Sequence, residues 1–309
     1  VLRGDPAVMR VPEEVEVCIG DVTDPESLER FFKVDERLDI IVIHCAAIVT
    51  VNPDFNQKVY DVNVGGTKNI LNACIAHHVK KLVYVSSIGA IPELPHGTAI
   101  TEVDHYDPDA VVGFYGKTKA EASQAVLDAV HEQGLDASIV LPTGICGPDD
   151  YAFGPVASFI IDYCDGKMPA GMEGSFNAVD ARDLADATLA CCEKGRKGES
   201  YVLGNECVSM QQMFHLLSTL TGKKEVKLIL PAKAAKLVGK LSDLAGKITK
   251  KQMRMTSFAV YNLTRNNEFD CTKAKDELDY HTRPFDETIA DMIVWLAREG
   301  KIQIEKDAS

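Results

Sequence analysis

The stretch "DIIVIHCAA", residues 39–47, is a nearly unbroken apolar run that ends in small side chains. A strand with one wet face alternates apolar with polar residues, so this run fits a strand buried on both faces, as in a parallel sheet covered by helices. Parallel neighbours need crossover helices, and the flanking sequence supplies them. Upstream, "VEVCIGD" alternates at Val15, Val17 and Ile19 and reads as a strand; "DPESLERFF" then reads as a helix with Asp24 as N-cap and Pro25 in the first helical position. Downstream come a long helical segment through "VNVGGTKNILNACIAHH", a strand at "KLVYVSS", a helix opening at Tyr115 and a short buried strand at "ASIVLP". This alternation predicts an α/β fold, a doubly wound parallel sheet of Rossmann type. Beyond Pro142 the helices shorten, with strands expected at "SYVLG" and "VKLIL".

Composition narrows the function. A net charge of −13 over 309 residues offers no overall positive field to replace phosphate counterions, which disfavours nucleic acid. The nine cysteines lack metal-ligand spacing and read as reduced core residues, with no metal expected. No apolar stretch approaches membrane-spanning length and no signal peptide is apparent, so a cytoplasmic protein without membrane partners is the expectation. One segment qualifies this: residues 223–254 are lysine-dense, with Leu237, Leu241, Leu244 and Ile248 at helical spacing. Glycines interrupt it and a proline precedes the stripe, so the stripe is expected to pack on its own lobe rather than lie on a membrane.

Two Tyr-x-x-x-Lys copies occur, "YGKTK" at Tyr115 and Lys119 and "YCDGK" at Tyr163 and Lys167. A pair at i and i+4 shares a helix face only where the helix continues through both. Asp165 and Gly166 should stop the second helix, whereas "YGKTKAEASQAVLDAVHEQG" runs on for several turns. Only Tyr115 and Lys119 can therefore face one target. An ammonium near a phenol favours the phenolate and brings it toward acid/base work near neutrality. "VYVSSIGA" ends a buried strand in Ser86 and Ser87, at the sheet edge where ligands bind in open α/β folds, although such serines also cap turns.

The pieces "GDVTD", "HCAAIVT", "VNVGGTKNIL", "VYVSSIGA", "YGKTKAEA", "LPTGICGP" and "VDARDLADA", in this order, resemble the extended short-chain dehydrogenase/reductase family, within the NAD-dependent epimerase/dehydratase superfamily. The tail looks most similar to the dihydroflavonol reductase and 3β-hydroxysteroid dehydrogenase branch. The resemblance implies Tyr115 as general acid/base, Lys119 as its electrostatic partner and nicotinamide-ribose ligand, Ser87 on the reacting oxygen, and Asn63 as a further catalytic-site residue. It implies cofactor contacts at Asp21, Val22, Ala46, Ala47, Pro142, Thr143 and Gly144. It also implies a dinucleotide-binding domain over residues 1–150, rejoined by 176–206 and parts of the C-terminal region, with a smaller, mostly helical substrate lobe over 151–309. Arg3, at the end of a presumed strand, would pair with the 2′-phosphate of NADP, favouring NADP over NAD. The implied partner is a small carbonyl or alcohol substrate, and a homodimer is left open.

Two departures stand out. Leu141 replaces the family's usual Arg before the proline, and no G-x-x-G-x-x-G phosphate loop occurs upstream of "GDVTD". The expectation is an N-terminally incomplete copy that lacks its first βα unit and binds dinucleotide weakly. The implied activity interconverts a ketone and a secondary alcohol. A nucleotide-sugar epimerase or dehydratase and a non-catalytic dinucleotide sensor are the alternatives.

Overall fold

The computed structural model describes residues 11–35, 37–249 and 256–304. Its central feature is a four-stranded, all-parallel sheet in the order β1 (Ile41–His44), β2 (Lys81–Val85), β3 (Ala137–Pro142) and β7 (Ser200–Leu203). α1 (Pro25–Phe32) precedes these strands, and between them run α2 (Gln57–Tyr60), α3 (Gly66–Ala76), α4 (Phe114–Gln133) and α6 (Ala181–Lys194). The crossovers are the helices that the alternation of apolar runs predicts. Leu82, Val83, Tyr84, Ile139, Val140 and Leu141 are almost wholly buried, each apolar side chain contributing about 1.5–3 kcal/mol. Leu141 thus belongs to the core.

Two small sheets complete the fold: β4 (Gly144–Cys146), β6 (Ser175–Asp180) and β8 (Cys207–Ser209) form one, and β5 (Gly171–Met172) with β9 (Ile229–Leu230) the other. Around them lie α5 (Pro155–Cys164), α7 (Met210–Thr221), α8 (Ala232–Thr249), α9 (Ser257–Thr264), α10 (Thr272–Leu278) and α11 (Phe285–Arg298). The apolar side chains gather into two main clusters. The larger follows the parallel sheet and takes in Cys271, Ala274, Leu278 and Tyr280; the second joins Ile160, Phe214, Ile293 and Trp295.

Several expectations are corrected. The predicted strand at Val15 to Ile19 does not form: Ile19 makes an isolated bridge, and Val15 and Ile19 are 51% and 61% exposed. Among the described residues no strand pairs with it, and alternation alone cannot hold a strand without a ladder. Asp24 and Pro25 do start α1, with the Asp24 carboxylate accepting from the Glu26 N–H. The "VKLIL" strand shrinks to Ile229 and Leu230. Cys45 and Cys207 are exposed rather than core residues. In the described part of α8 the buried residues are Ala235 and Gly239, whereas Leu237, first of the predicted inward stripe, is 62% exposed; the side chains of Leu241, Leu244 and Ile248 lie outside the described residues. A Cβ on Gly239 would meet the Ser257 backbone at 3.1 Å, so α8 lies against α9 through its smallest side chains and turns Leu237 outward.

Candidate active site

α4 begins at Phe114 behind Gly113, whose φ of 87° suits glycine, and continues unbroken to Gly134 in the left-handed conformation. Tyr115 and Lys119 therefore share one face, a turn apart. The second Tyr-x-x-x-Lys pair separates as its sequence predicts: α5 ends at Cys164, Gly166 has φ 69°, and Lys167 pairs with Asp165. The Tyr163 hydroxyl donates to the carbonyls of Lys223 and Lys224.

Ser87 follows β2 and does both things its position allows. Its Oγ accepts from the Gly89 N–H at 3.1 Å, capping the short 3-10 turn Ile88–Ala90, and its hydroxyl is the polar neighbour that acts on the Tyr115 phenol. With a lone pair occupied by Gly89, the Ser87 O–H is free to donate. Ser86 turns the other way, bonding Ser123 in the core at 2.6 Å. What brings Ser87 and Tyr115 together is a close backbone approach: a Cβ on Gly116 would meet the Gly89 carbonyl oxygen at 2.6 Å. Two glycines thus set the distance between the strand-end serine and the helix tyrosine.

Burial raises the Tyr115 phenol, and the neighbouring Ser87 hydroxyl lowers it again in part. Lys119 departs from expectation. It is 2% exposed, its Nζ donates to the Val85 carbonyl at 2.7 Å and lies 4.5 Å from the Tyr84 ring centroid, and burial pushes its pKa down to about 7. In this structure the group that favours the Tyr115 phenolate is Ser87, because the ammonium is aimed at the end of β2.

Asn63 lies in a π-helical turn, Asp61–Gly65, between α2 and α3. Its Oδ1 accepts from the Ile48 N–H at 2.7 Å, and its Nδ2 donates to the Ile48 carbonyl at 3.1 Å and Thr118 Oγ1 at 3.0 Å. Thr118 Oγ1 in turn donates to the Tyr115 carbonyl. Asn63 therefore ties the loop after β1 to the first turn of α4, the geometry of a positioning residue. That loop holds Ala46 and Ala47, at the same end of the sheet as Ser87.

Asp21 and Val22 sit beside α3: the Asp21 carboxylate accepts from the Thr23 N–H and hydroxyl, and Val22 packs where a Cβ on Gly66 would fall. Pro142 is buried at the end of β3, Thr143 donates its N–H to Leu203, and Gly144 starts β4. Thr143 Oγ1 is buried with no hydrogen-bond partner among the described residues. Lys119 Nζ likewise makes a single hydrogen bond there. An unspent hydroxyl and ammonium beside small residues at the strand ends fit the ribose and carboxamide end of a nicotinamide dinucleotide. Arg3 lies outside the described residues.

Sequence reasoning missed His44, Gly89, Gly116 and Thr118. The glycines were visible in "SSIGA" and "YGKTK", but nothing local says that they touch. His44, a polar residue closing an apolar strand, was the more legible signal. A cavity of about 680 Å³ lies alongside, walled by Phe159, Met168, Met172, Phe214 and Leu263. Ser87 and Tyr115 do not line it. It approaches them through Val51, in the loop after β1, and Ala259, whose neighbour Phe258 packs on Gly113.

Comparison with known proteins agrees with this layout. The model of the NAD dependent epimerase/dehydratase family matches residues 3–204. Sterol demethylase protein B of Methylococcus capsulatus is 29% identical over 293 residues, 93% of this chain and 87% of that protein. A putative dihydroflavonol 4-reductase of Synechocystis is 29% identical over 275 residues, covering 85% and 78% of the two chains. The crystal structure of gox2253 superposes with a TM-score of 0.80 at 29% identity, covering 93% of this chain and 86% of that one. The UDP-glucose 4-epimerase of Thermotoga maritima shares the fold, with a TM-score of 0.71 at 21% identity and coverage of 91% and 84%.

Proposed function

This chain belongs to the NAD dependent epimerase/dehydratase family, and from that premise we propose that it is a nicotinamide-dependent oxidoreductase interconverting a ketone and a secondary alcohol. The observation that carries the reading is that Tyr115 and Lys119 stand one turn apart on the unbroken α4, whose close approach to Gly89 brings the strand-end Ser87 beside the Tyr115 phenol. A bound nicotinamide supplies hydride exchange with the carbonyl carbon. Tyr115 gives its proton to the carbonyl oxygen in the reducing direction and takes it back in the oxidising one. Ser87, already accepting from Gly89, turns its O–H to that oxygen and holds it against Tyr115. Lys119 would hold the nicotinamide ribose, to which its ammonium has donors to spare beyond the one given to the Val85 carbonyl. Asn63 keeps the first turn of α4 in register with the loop after β1.

The walls of the cavity support a substrate with a bulky apolar body. Relatives named for sterol demethylation and dihydroflavonol reduction point the same way. A nucleotide-sugar substrate would need a free guanidinium for its diphosphate. Arg182 is instead bound by Asp180 and Asp291, and Arg283 by Asp183, whereas the buried Arg265 Nη2 has no hydrogen-bond partner among the described residues, which keeps a nucleotide sugar as the second reading to be tested. For cofactor preference the basis is Arg3 alone, whose pairing with a 2′-phosphate would favour NADP; Arg3→Ala should then shift the KM ratio toward NAD.

The deciding experiment incubates the protein with NADH or NADPH and a panel of ketones, including polycyclic ones, with UDP-glucose as a further arm. Tyr115→Phe should lower turnover by about 10²–10⁴ while cofactor affinity stays within a few fold. Tyr163→Phe should be nearly silent. Equal losses from both substitutions, or turnover of the nucleotide sugar alone, would sink the proposal.

A further inference from the structure

We propose that the outer face of α8 docks the protein on an anionic lipid bilayer. The inference starts from orientation. Ala235 and Gly239 are the buried residues of the described part of the helix, and Ala235 packs with Met172 and Val260. On a helical wheel Leu237 lies opposite these two, with Lys233, Lys236 and Lys240 along one flank of it. Leu237 is 62% exposed, Leu228 before the helix 60%, and Lys227, Lys233, Lys236 and Lys240 are exposed and form no ion pair among the described residues. The sequence repeats the apolar spacing at Leu241, Leu244 and Ile248. A small-residue face packed inward with Leu237 and lysines outward is the reverse of a helix that serves its own core.

Charge selects the occupant. Residues 223–254 hold ten of the chain's 33 lysines and arginines but only two of its 46 acids, so the segment is at +8 and the remainder at −21. An apolar stripe flanked by lysines matches the boundary between headgroups and acyl chains of an anionic leaflet. The acidic body does not cancel this, since charges farther away than about 8 Å are largely screened at physiological salt. Docking also has a use: Met172, against which Ala235 packs, is a wall of the apolar cavity, which then sits one helix away from lipid. This goes beyond the expectation of no membrane partner and stands independently of the reaction proposed above.

The test is co-sedimentation of the full chain with vesicles of phosphatidylcholine alone or with about one-third phosphatidylglycerol. Binding is expected only to the anionic vesicles, and it should fall steeply as salt is raised to about 0.5 M. The triple substitution Lys233→Gln, Lys236→Gln, Lys240→Gln should weaken it roughly a hundredfold. Leu237→Ser should weaken it about tenfold through lost apolar contact. These four side chains are exposed, so circular dichroism and turnover of a water-soluble ketone should be unchanged in the variants. Equal binding to both vesicle types, binding to neither, or full binding by the triple variant would overturn the inference. So would a concentration-dependent dimer abolished by Leu237→Ser, which would make the face a contact between copies of this chain.

Discussion

At the scale of single residues, buried polar groups show how closely the site is specified. Thr67 Oγ1 donates to the Asn63 carbonyl at 2.7 Å, so its contact with His44 Nε2 at 3.0 Å must be one in which the imidazole donates. His44 is thereby held as the neutral Nε2–H tautomer, and burial, helped by the Lys119 charge, pushes its pKa down to about 3. A folded-state pKa below the unfolded value of 6.5 means that the unfolded chain binds the extra proton between those limits. The stability due to neutral His44 is whole above pH 6.5 and is lost as pH falls toward 3, at up to about 1.4 kcal/mol per unit. His44→Gln keeps a donor for Thr67 and cannot titrate. Urea midpoints measured from pH 7 to pH 4 should fall less steeply in that variant than in the parent, and parallel curves would refute the assignment.

At the scale of elements, the site depends on the approach of α4 to the turn after β2. A Cβ at Gly116 would stand 2.6 Å from the Gly89 carbonyl oxygen, and neither partner is a flexible side-chain end. Gly116→Ala should therefore push the turn away from the helix, separate Ser87 from Tyr115 and lower turnover by about 10²-fold, with an overpacking cost of about 1–3 kcal/mol. Steady-state kinetics beside a thermal melt distinguishes this from simple destabilisation. Continuous apolar runs made β2, β3 and β7 legible in the sequence because burial on both faces leaves no other composition for a strand; β1 was placed by the same signal, but the two-sided burial expected of it does not hold, since Ile41 and Ile43 are 45% and 39% exposed. Helix continuity likewise separated Tyr115 and Lys119 from the Tyr163 copy. Local pattern could not reveal that Gly89 and Gly116 meet, that Asn63 reaches Ile48 and Thr118 from a π-helical turn, or that α8 packs by its small face. Each of these is set by a partner distant in sequence. The Val15 to Ile19 stretch failed for the same reason, since alternation says nothing about whether a ladder is there to join.

At the scale of the whole molecule, the two apolar clusters are joined by more than the chain between them. The Asp183 carboxylate accepts from the Arg283 N–H and guanidinium, Asn205 Nδ2 donates to the Arg283 carbonyl, and the Tyr280 hydroxyl donates to Gly204. These ties bring the segment carrying α10 and α11 across both clusters, and they should make unfolding a single event. Trp295 is the sole tryptophan and sits in the second cluster, so its fluorescence reports on that cluster alone. Ile139→Ala, in the first cluster, should cost about 2–5 kcal/mol and lower the fluorescence midpoint by as much as it lowers the circular dichroism midpoint. A fluorescence transition left in place by that substitution would show that the clusters melt separately.

The seat of α4 extends the same dependence to the making of the protein. Gly113 has no side chain, and the space beside it is filled by the ring of Phe258, from a helix far along the chain. During synthesis Ser87 and Tyr115 leave the ribosome together and early, whereas the ring that supports the start of their helix is among the later parts to emerge. A nascent chain cut between Lys119 and Phe258 holds every proposed catalytic residue, and its α4 is already tied to Asn63 through Thr118 and set against Gly89, yet the space beside Gly113 is still unfilled. The packing around the start of α4 is finished only after residue 258 has been added.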